Sequence, residues 1–224
     1  MGEVALDEKF AFLKNKNFWA GFCISFFAII GICASISWLW GRTYNILSGA
    51  KQKARLESFI EPVLMCDPFP FSEGSNISNS LLLQAALNNI FLNSNKEYPK
   101  SEDNEYIIPQ SDIEVSASEL FGPNIKLTHG NLRDLSDFYC NYHENEQAYY
   151  IQYSTQASNY FPKVTKITKE EDYLNLTVGY IRPQHFLSKT KRADVEPDKY
   201  MIYKLKKNKT RYGYQIVAIK EDSV

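Results

Sequence analysis

The chain has little of what most catalytic sites are made from. It contains three histidines and four cysteines, and two of those cysteines, Cys23 and Cys33, lie inside an apolar run. H-E-x-x-H is missing, and no cluster supplies the three or four ligands that a zinc ion takes. G-x-S-x-G, the P-loop and G-x-G-x-x-G are missing too. Their absence removes the motif-borne routes to hydrolysis, phosphate binding and dinucleotide binding. Neither sign of charge is in excess: 25 Lys and Arg face 26 Asp and Glu, for a formal net charge of -1. Nucleic-acid phosphates need a basic field, so no nucleic-acid partner is expected, and no cofactor or metal. Repeats and low-complexity tracts are also lacking.

What the chain does have is one long uncharged stretch, FWAGFCISFFAIIGICASISWLW, from Phe18 to Trp40. About twenty apolar residues let a helix cross the hydrocarbon core. Trp19 and Trp40 stand about 32 Å apart at the helical rise, one for each interface, where indoles prefer to lie. A cleaved signal peptide has an apolar core of roughly 7–15 residues, shorter than this run. The expected organisation is a short cytoplasmic tail over 1–17, a transmembrane helix over 18–41 in contact with the bilayer, a juxtamembrane helix over 42–65, and an extracytoplasmic α+β domain over 66–224. Lys9, Lys14 and Lys16 precede the span and Arg42, Lys51, Lys53 and Arg55 follow it, so basic residues do not decide its direction.

Beyond the span, a helix is expected through 46–64, bent or interrupted near Pro62. CDPFPFSEGSNISNS, 66–80, reads as an ordered loop. In SLLLQAALNNIFL, the residues Leu83, Ala86, Leu87, Ile90 and Phe91 recur at helical spacing. A third helix has a capping box, Ser111-x-x-Glu114, an apolar stripe of Ile113, Ala117, Leu120 and Phe121, and a stop at Gly122-Pro123. After Gly122 the period becomes two. Three hairpins follow, turning at HENEQ, at Lys169–Asp172 and at KNKT, and they predict one antiparallel sheet packed by the preceding helices.

Candidate site residues are few. FYCNYHENEQAYY, 138–150, brings Cys140, His143 and Glu144 together in sequence. On a strand, however, Cys140 and His143 point to opposite faces and cannot share a metal. Cys66 and Cys140 suit one disulfide in an oxidising compartment, or equally two unpaired buried thiols. Tyr139, Tyr149, Tyr153 and Tyr180 are candidate contacts on an open sheet face, with strand filler as the plainer reading. Asp134, Asp137, His129 and His185 are the groups that an envelope hydrolase would have to assemble by folding. KLKKNKTR, 204–211, is read as a solvated hairpin tip, with contact to anionic headgroups or wall polymer as its rival.

A short tail, one span, a few helices and then antiparallel strands resembles uncharacterised membrane-anchored exported proteins of low-GC Gram-positive bacteria. YIIPQSDIEVSASELFG, 106–122, looks like a recurring element of such domains, a short strand and then a helix closing at Phe-Gly. The layout is also similar to the cone-shaped fold of nuclear transport factor 2, and less closely to cystatin. That resemblance implies a fold and carries no functional residue with it. The expected function is a non-catalytic binding or sensing domain on the outer face of the cytoplasmic membrane, meeting a protein or envelope partner. The alternatives are a structural subunit of a secretion or conjugation machine, and an envelope hydrolase.

Overall fold

The computed structural model describes residues 49–133, 139–152, 160–183 and 195–222. The expected membrane span at 18–41 lies outside them, and no helix among the described residues is long and apolar enough to cross a membrane. The chain divides into two units, Met1–Gln52 and Lys53–Val224. Both sheets and both cores belong to the second.

Helix α1 occupies 49–64. It runs through Pro62 without stopping there. A proline has no N–H to give the carbonyl four residues back, here that of Ser58. The Asn93 side chain supplies the missing donor, its Nδ2 lying 3.2 Å from the Ser58 carbonyl oxygen. Leu56, Phe59, Ile60, Val63 and Leu64 make the buried face of the helix. From Lys53 onward, then, the segment expected to join the domain is part of its core.

Helix α2 (Asn79–Asn93) begins at Ser78, whose hydroxyl accepts the Leu81 N–H. It carries no charged side chain and is buried on nearly every side. Such a helix belongs in an interior. Strand β1 (Tyr106–Pro109) leads directly into α3 (Gln110–Phe121). The predicted capping box does not form, and α3 has no side-chain cap. Its first residue, Gln110, instead gives its backbone N–H to the Gln147 carbonyl at 2.8 Å, and the helix starts two residues early with Ser111 inside it. Gly122 closes α3 as expected, at φ +94 and with its N–H on the Ser118 carbonyl.

The remaining strands are β2 (Leu132–Arg133), β3 (Tyr139–His143), β4 (Ala148–Ile151), β5 (Phe161–Glu170), β6 (Tyr173–Ile181), β7 (Lys199–Lys207) and β8 (Tyr214–Glu221). The class is α+β with antiparallel pairing, as the hairpins predict, but there are two sheets and not one. The first has the order β1-β4-β3-β2 and the second β5-β6-β7-β8. The cause is non-local: β1 pairs with β4, Ile108 opposite Tyr149, and so draws the HENEQ hairpin away from the other two.

Each sheet has its own core. Under the second lie Leu174, Leu176, Val178, Tyr180, Met201, Tyr203 and Leu205 with the buried face of α1. Under the first lie Ile108, Cys140, Tyr149 and Ile151 with Ile113 and Ala117 of α3. Helix α2 serves both, giving Leu82 and Ala85 to one and Leu83, Ala86, Leu87 and Ile90 to the other.

Tyr180 and Tyr203 place their hydroxyls 2.6 Å apart with both side chains fully buried. Burial pushes both phenols well above their ordinary pKa. Either single change to Phe leaves a buried hydroxyl without this partner, and each is expected to cost about 1–3 kcal/mol. The double variant Y180F/Y203F is expected to lose less than the sum, because both polar groups go together. A double-mutant cycle by chemical denaturation measures the coupling.

Candidate functional site

A recess forms where the 66–78 loop passes the first turns of α2. It has a volume of about 360 Å³, within the range of ligand sites. Its walls carry Pro68, Phe69, Phe71, Ile77 and Leu81, with Asn76, Ser80 and Gln84 among the polar groups. Phe69 is 91 % exposed, the most exposed large apolar residue described.

The loop is held at several points. Phe71 exchanges two backbone hydrogen bonds with Ile219, both 2.9 Å, and so extends the ladder of β8. Asp67 sits at φ +44, a strained value for a residue with a side chain, and its carboxylate meets Lys199 Nζ at 2.5 Å. Pro68 and Pro70 remove further backbone freedom. Glu73 accepts from Tyr173 and pairs with Lys204 at 3.0 Å and Lys206 at 3.4 Å. The Lys204 ammonium beside it holds the Glu73 carboxyl below its ordinary pKa; burial acts against it, and the Tyr173 hydroxyl adds to the lowering.

The basic stretch is largely occupied by that arrangement. Lys204 also lies 3.9 Å from the centre of the Tyr173 ring, and Lys207 pairs with Asp172 at 3.6 Å. Lysines bonded in this way offer less charge to an external polyanion.

A second constellation involves His129. Its Nε2 is 3.0 Å from Glu114 Oε1, and its Nδ1 is 2.9 Å from the Tyr149 hydroxyl. The Gly130 N–H also donates to that hydroxyl, at 3.3 Å. A carboxylate only accepts, so in the neutral imidazole Nε2 carries the proton and Nδ1 accepts from the Tyr149 hydroxyl. Glu114 also accepts from Gln110 Nε2 at 2.9 Å. The order carboxylate, imidazole, hydroxyl looks like the logic of an activated nucleophile. Tyr149 is fully buried, however, and burial raises its pKa. A hydroxyl that substrate cannot reach cannot attack, and the chain of bonds ties the 123–131 segment to α3 and the first sheet.

The other expected residues fall as follows. Tyr149 and Tyr180 are core residues and offer no open sheet face, a correction to their reading as contacts. Tyr139 is paired through its backbone with Arg133. Tyr153, Asp134, Asp137 and His185 lie outside the described residues. Cys140 is 1 % exposed while His143 is exposed and packs against the Tyr150 ring at 4.2 Å, in line with the two faces of a strand. Cys66 and Cys140 do not form the disulfide, because they sit in different cores. The Cys66 thiol is 3.4 Å from the Pro62 carbonyl oxygen, and burial pushes the Cys140 thiol up to about 12. Sequence reasoning passed over Phe69. Its signal was there in CDPFPF, an aromatic between two prolines at the head of a turn-rich loop.

No protein-family model, curated protein or solved structure matches the chain.

Two outcomes follow from these geometries. At pH 8 an alkylating reagent is expected to reach Cys140 only as the domain unfolds, since the thiolate is the reactive form. Peptide mass mapping with and without denaturant reads this, and fast labelling of Cys140 in the native protein would contradict it. Gln110 and then His129 lower the Glu114 pKa in the folded state. Stability from a lowered carboxyl is present above the unfolded value of about 4.3 and is lost as pH falls through the folded one. Glu114→Gln is therefore expected to lower the melting temperature near neutrality, by the few degrees typical of a half-exposed pair, and to lose that effect in acid.

Proposed function

We propose that the chain is a non-catalytic binding domain, anchored at the outer face of a cytoplasmic membrane, whose groove beside α2 receives an apolar segment of an envelope protein. The observation that carries this reading is Phe69, standing exposed between two prolines on the rim of a preformed recess. Exposing a large aromatic ring to water is unfavourable unless something covers it. A loop restrained by Pro68, Pro70, the Phe71–Ile219 ladder and the Asp67–Lys199 pair loses little further entropy on binding.

The location rests on the uncharged run at 18–40, long enough to span a bilayer and bracketed by Trp19 and Trp40. The resemblance in layout to exported single-span proteins supports the same placement. The non-catalytic reading rests on His129, both of whose ring nitrogens are engaged within the fold. The subunit of an envelope machine is the same proposal with a larger partner.

A photo-cross-linking amino acid placed at position 69 in intact cells tests it. A discrete protein adduct is expected from position 69 and none from Lys166, an exposed residue of β5. Protease added to intact spheroplasts is expected to digest the carboxyl-terminal domain. Shielding from that protease would overturn the location, and cross-linking that is equal at both positions or lacking at 69 would overturn the groove.

A further inference from the structure

A separate cleft opens at the other end of α2, where it faces α3. Its volume is about 190 Å³, the space of roughly six waters. That is too small for a drug-sized ligand and ample for a small metabolite. Among its lining residues is Asn89, 3 % exposed, near the end of a helix whose buried side chains are apolar apart from Asn89 and its neighbour Asn88. The Asn89 amide is fully used. Nδ2 donates to Ser116 Oγ at 3.0 Å and to Glu119 Oε2 at 3.5 Å, while Oδ1 accepts from Asn93 and from the Tyr212 hydroxyl, each at 3.0 Å. Ser116 in turn donates to the Ala86 carbonyl at 2.8 Å. Every hydrogen-bonding position of one buried amide is committed to fixing the groups around it.

Four charged side chains line this cleft: Lys96, Asp112, Glu119 and Arg211. Two of them are spoken for. Lys96 pairs with Asp112, which also accepts from the Tyr98 hydroxyl at 2.9 Å. The other two are not paired with each other or with any other charge among the described residues. Among the described residues, Glu119 takes only the long bond from Asn89. Arg211 is exposed, with its guanidinium 5.7 Å from the centre of the Tyr212 ring. Val115, 59 % exposed, and Ile90 give the same cleft an apolar wall.

A carboxylate and a guanidinium on one small cleft, unpaired and beside an apolar surface, match the three parts of an amino acid. We infer that this cleft binds a free zwitterionic amino acid, its ammonium on Glu119, its carboxylate on Arg211 and its side chain against Val115. Arginine suits the carboxylate because its planar fork can donate two parallel bonds. A ligand bearing only one of the two charges would leave the other protein group unanswered, which gives selectivity for the zwitterion. The cleft is distinct from the groove beside Phe69, and its occupancy does not depend on that reading.

The test is calorimetric titration of the full chain in detergent with a panel of the common L-amino acids, and with acetate and ethylammonium as half-ligands. Saturable binding of at least one amino acid is expected, with Kd at or below about 1 mM and the half-ligands at least about tenfold weaker. Glu119→Gln and Arg211→Gln are each expected to weaken binding by about tenfold or more, with Lys166→Gln unchanged. Arg211 is exposed on the β7–β8 turn, so its variant keeps the fold and decides the matter even if Glu119→Gln unfolds. Failure of the whole panel to saturate would overturn the proposal. So would acetate or ethylammonium binding as well as any amino acid, or an Arg211 variant that binds like the wild type.

Discussion

Helix α2 is the constraint on which the domain depends. It is a charge-free helix with an apolar surface on both sides, and it is the common wall of two cores. A surface helix has a polar face to give to water, and this one has none to spare. Each sheet therefore buries against it from its own side. Neither sheet could keep a dry inner face if α2 were missing. Burying a Leu or Ile side chain is worth about 1.5–3 kcal/mol, and Leu82, Leu83, Leu87 and Ile90 are all buried in this one element.

A helix in that position can hold polar side chains only if they are fully bonded, and α2 holds two adjacent ones. Asn88 donates to the Pro62 carbonyl at 3.1 Å and reaches the Cys66 sulfur at 3.5 Å, while Asn89 fixes Ser116 and Tyr212. Near the end of the helix, Asn93 completes the hydrogen bond that Pro62 denies to Ser58. The three amides thus tie α2 to α1, to α3 and to the β7–β8 turn. Apolar packing would allow a helix to slide or rotate between two greasy surfaces. Directional bonds from these amides define one register.

Local pattern was legible in the sequence, and pairing over distance was not. The 3.6 period of Leu83, Ala86, Leu87 and Ile90 and the alternation of Leu174, Leu176, Val178 and Tyr180 appear in the structure as written, because each is decided within one element. The division of three hairpins into two sheets comes from β1 pairing with β4, about forty residues away, and no local period records it. The same difference explains the tyrosines. Alternation shows which residues share a face, but not which face is covered, so Tyr149 and Tyr180 could not be told from contact residues until their sheets had partners. Pro62 and Ser111 misled in the opposite way: each is a sound local signal that a remote group, Asn93 or the Gln147 carbonyl, made unnecessary. One signal was present and went unused. Two adjacent asparagines in the second half of a charge-free apolar helix call for buried partners, and one of them lines the cleft.

The positions of the two recesses follow from the same helix. Along its middle, α2 is packed on both sides and no space is left. At its ends the packing must give way, because the first N–H groups and last carbonyls of any helix need partners from outside it. At the start, Ser78 answers this need within the loop that shapes the groove; at the close, the Ser94 N–H returns to the Ile90 carbonyl and the chain turns away along the cleft. Polar side chains and departing backbone gather at both places, and close packing gives way to a cavity. Leu81 in the groove and Asn89 in the cleft are eight residues apart on one stiff element, about 12 Å along its axis. A helix gripped from both sides cannot move at one end alone. The two recesses are therefore framed by one rigid body, whose position both cores determine.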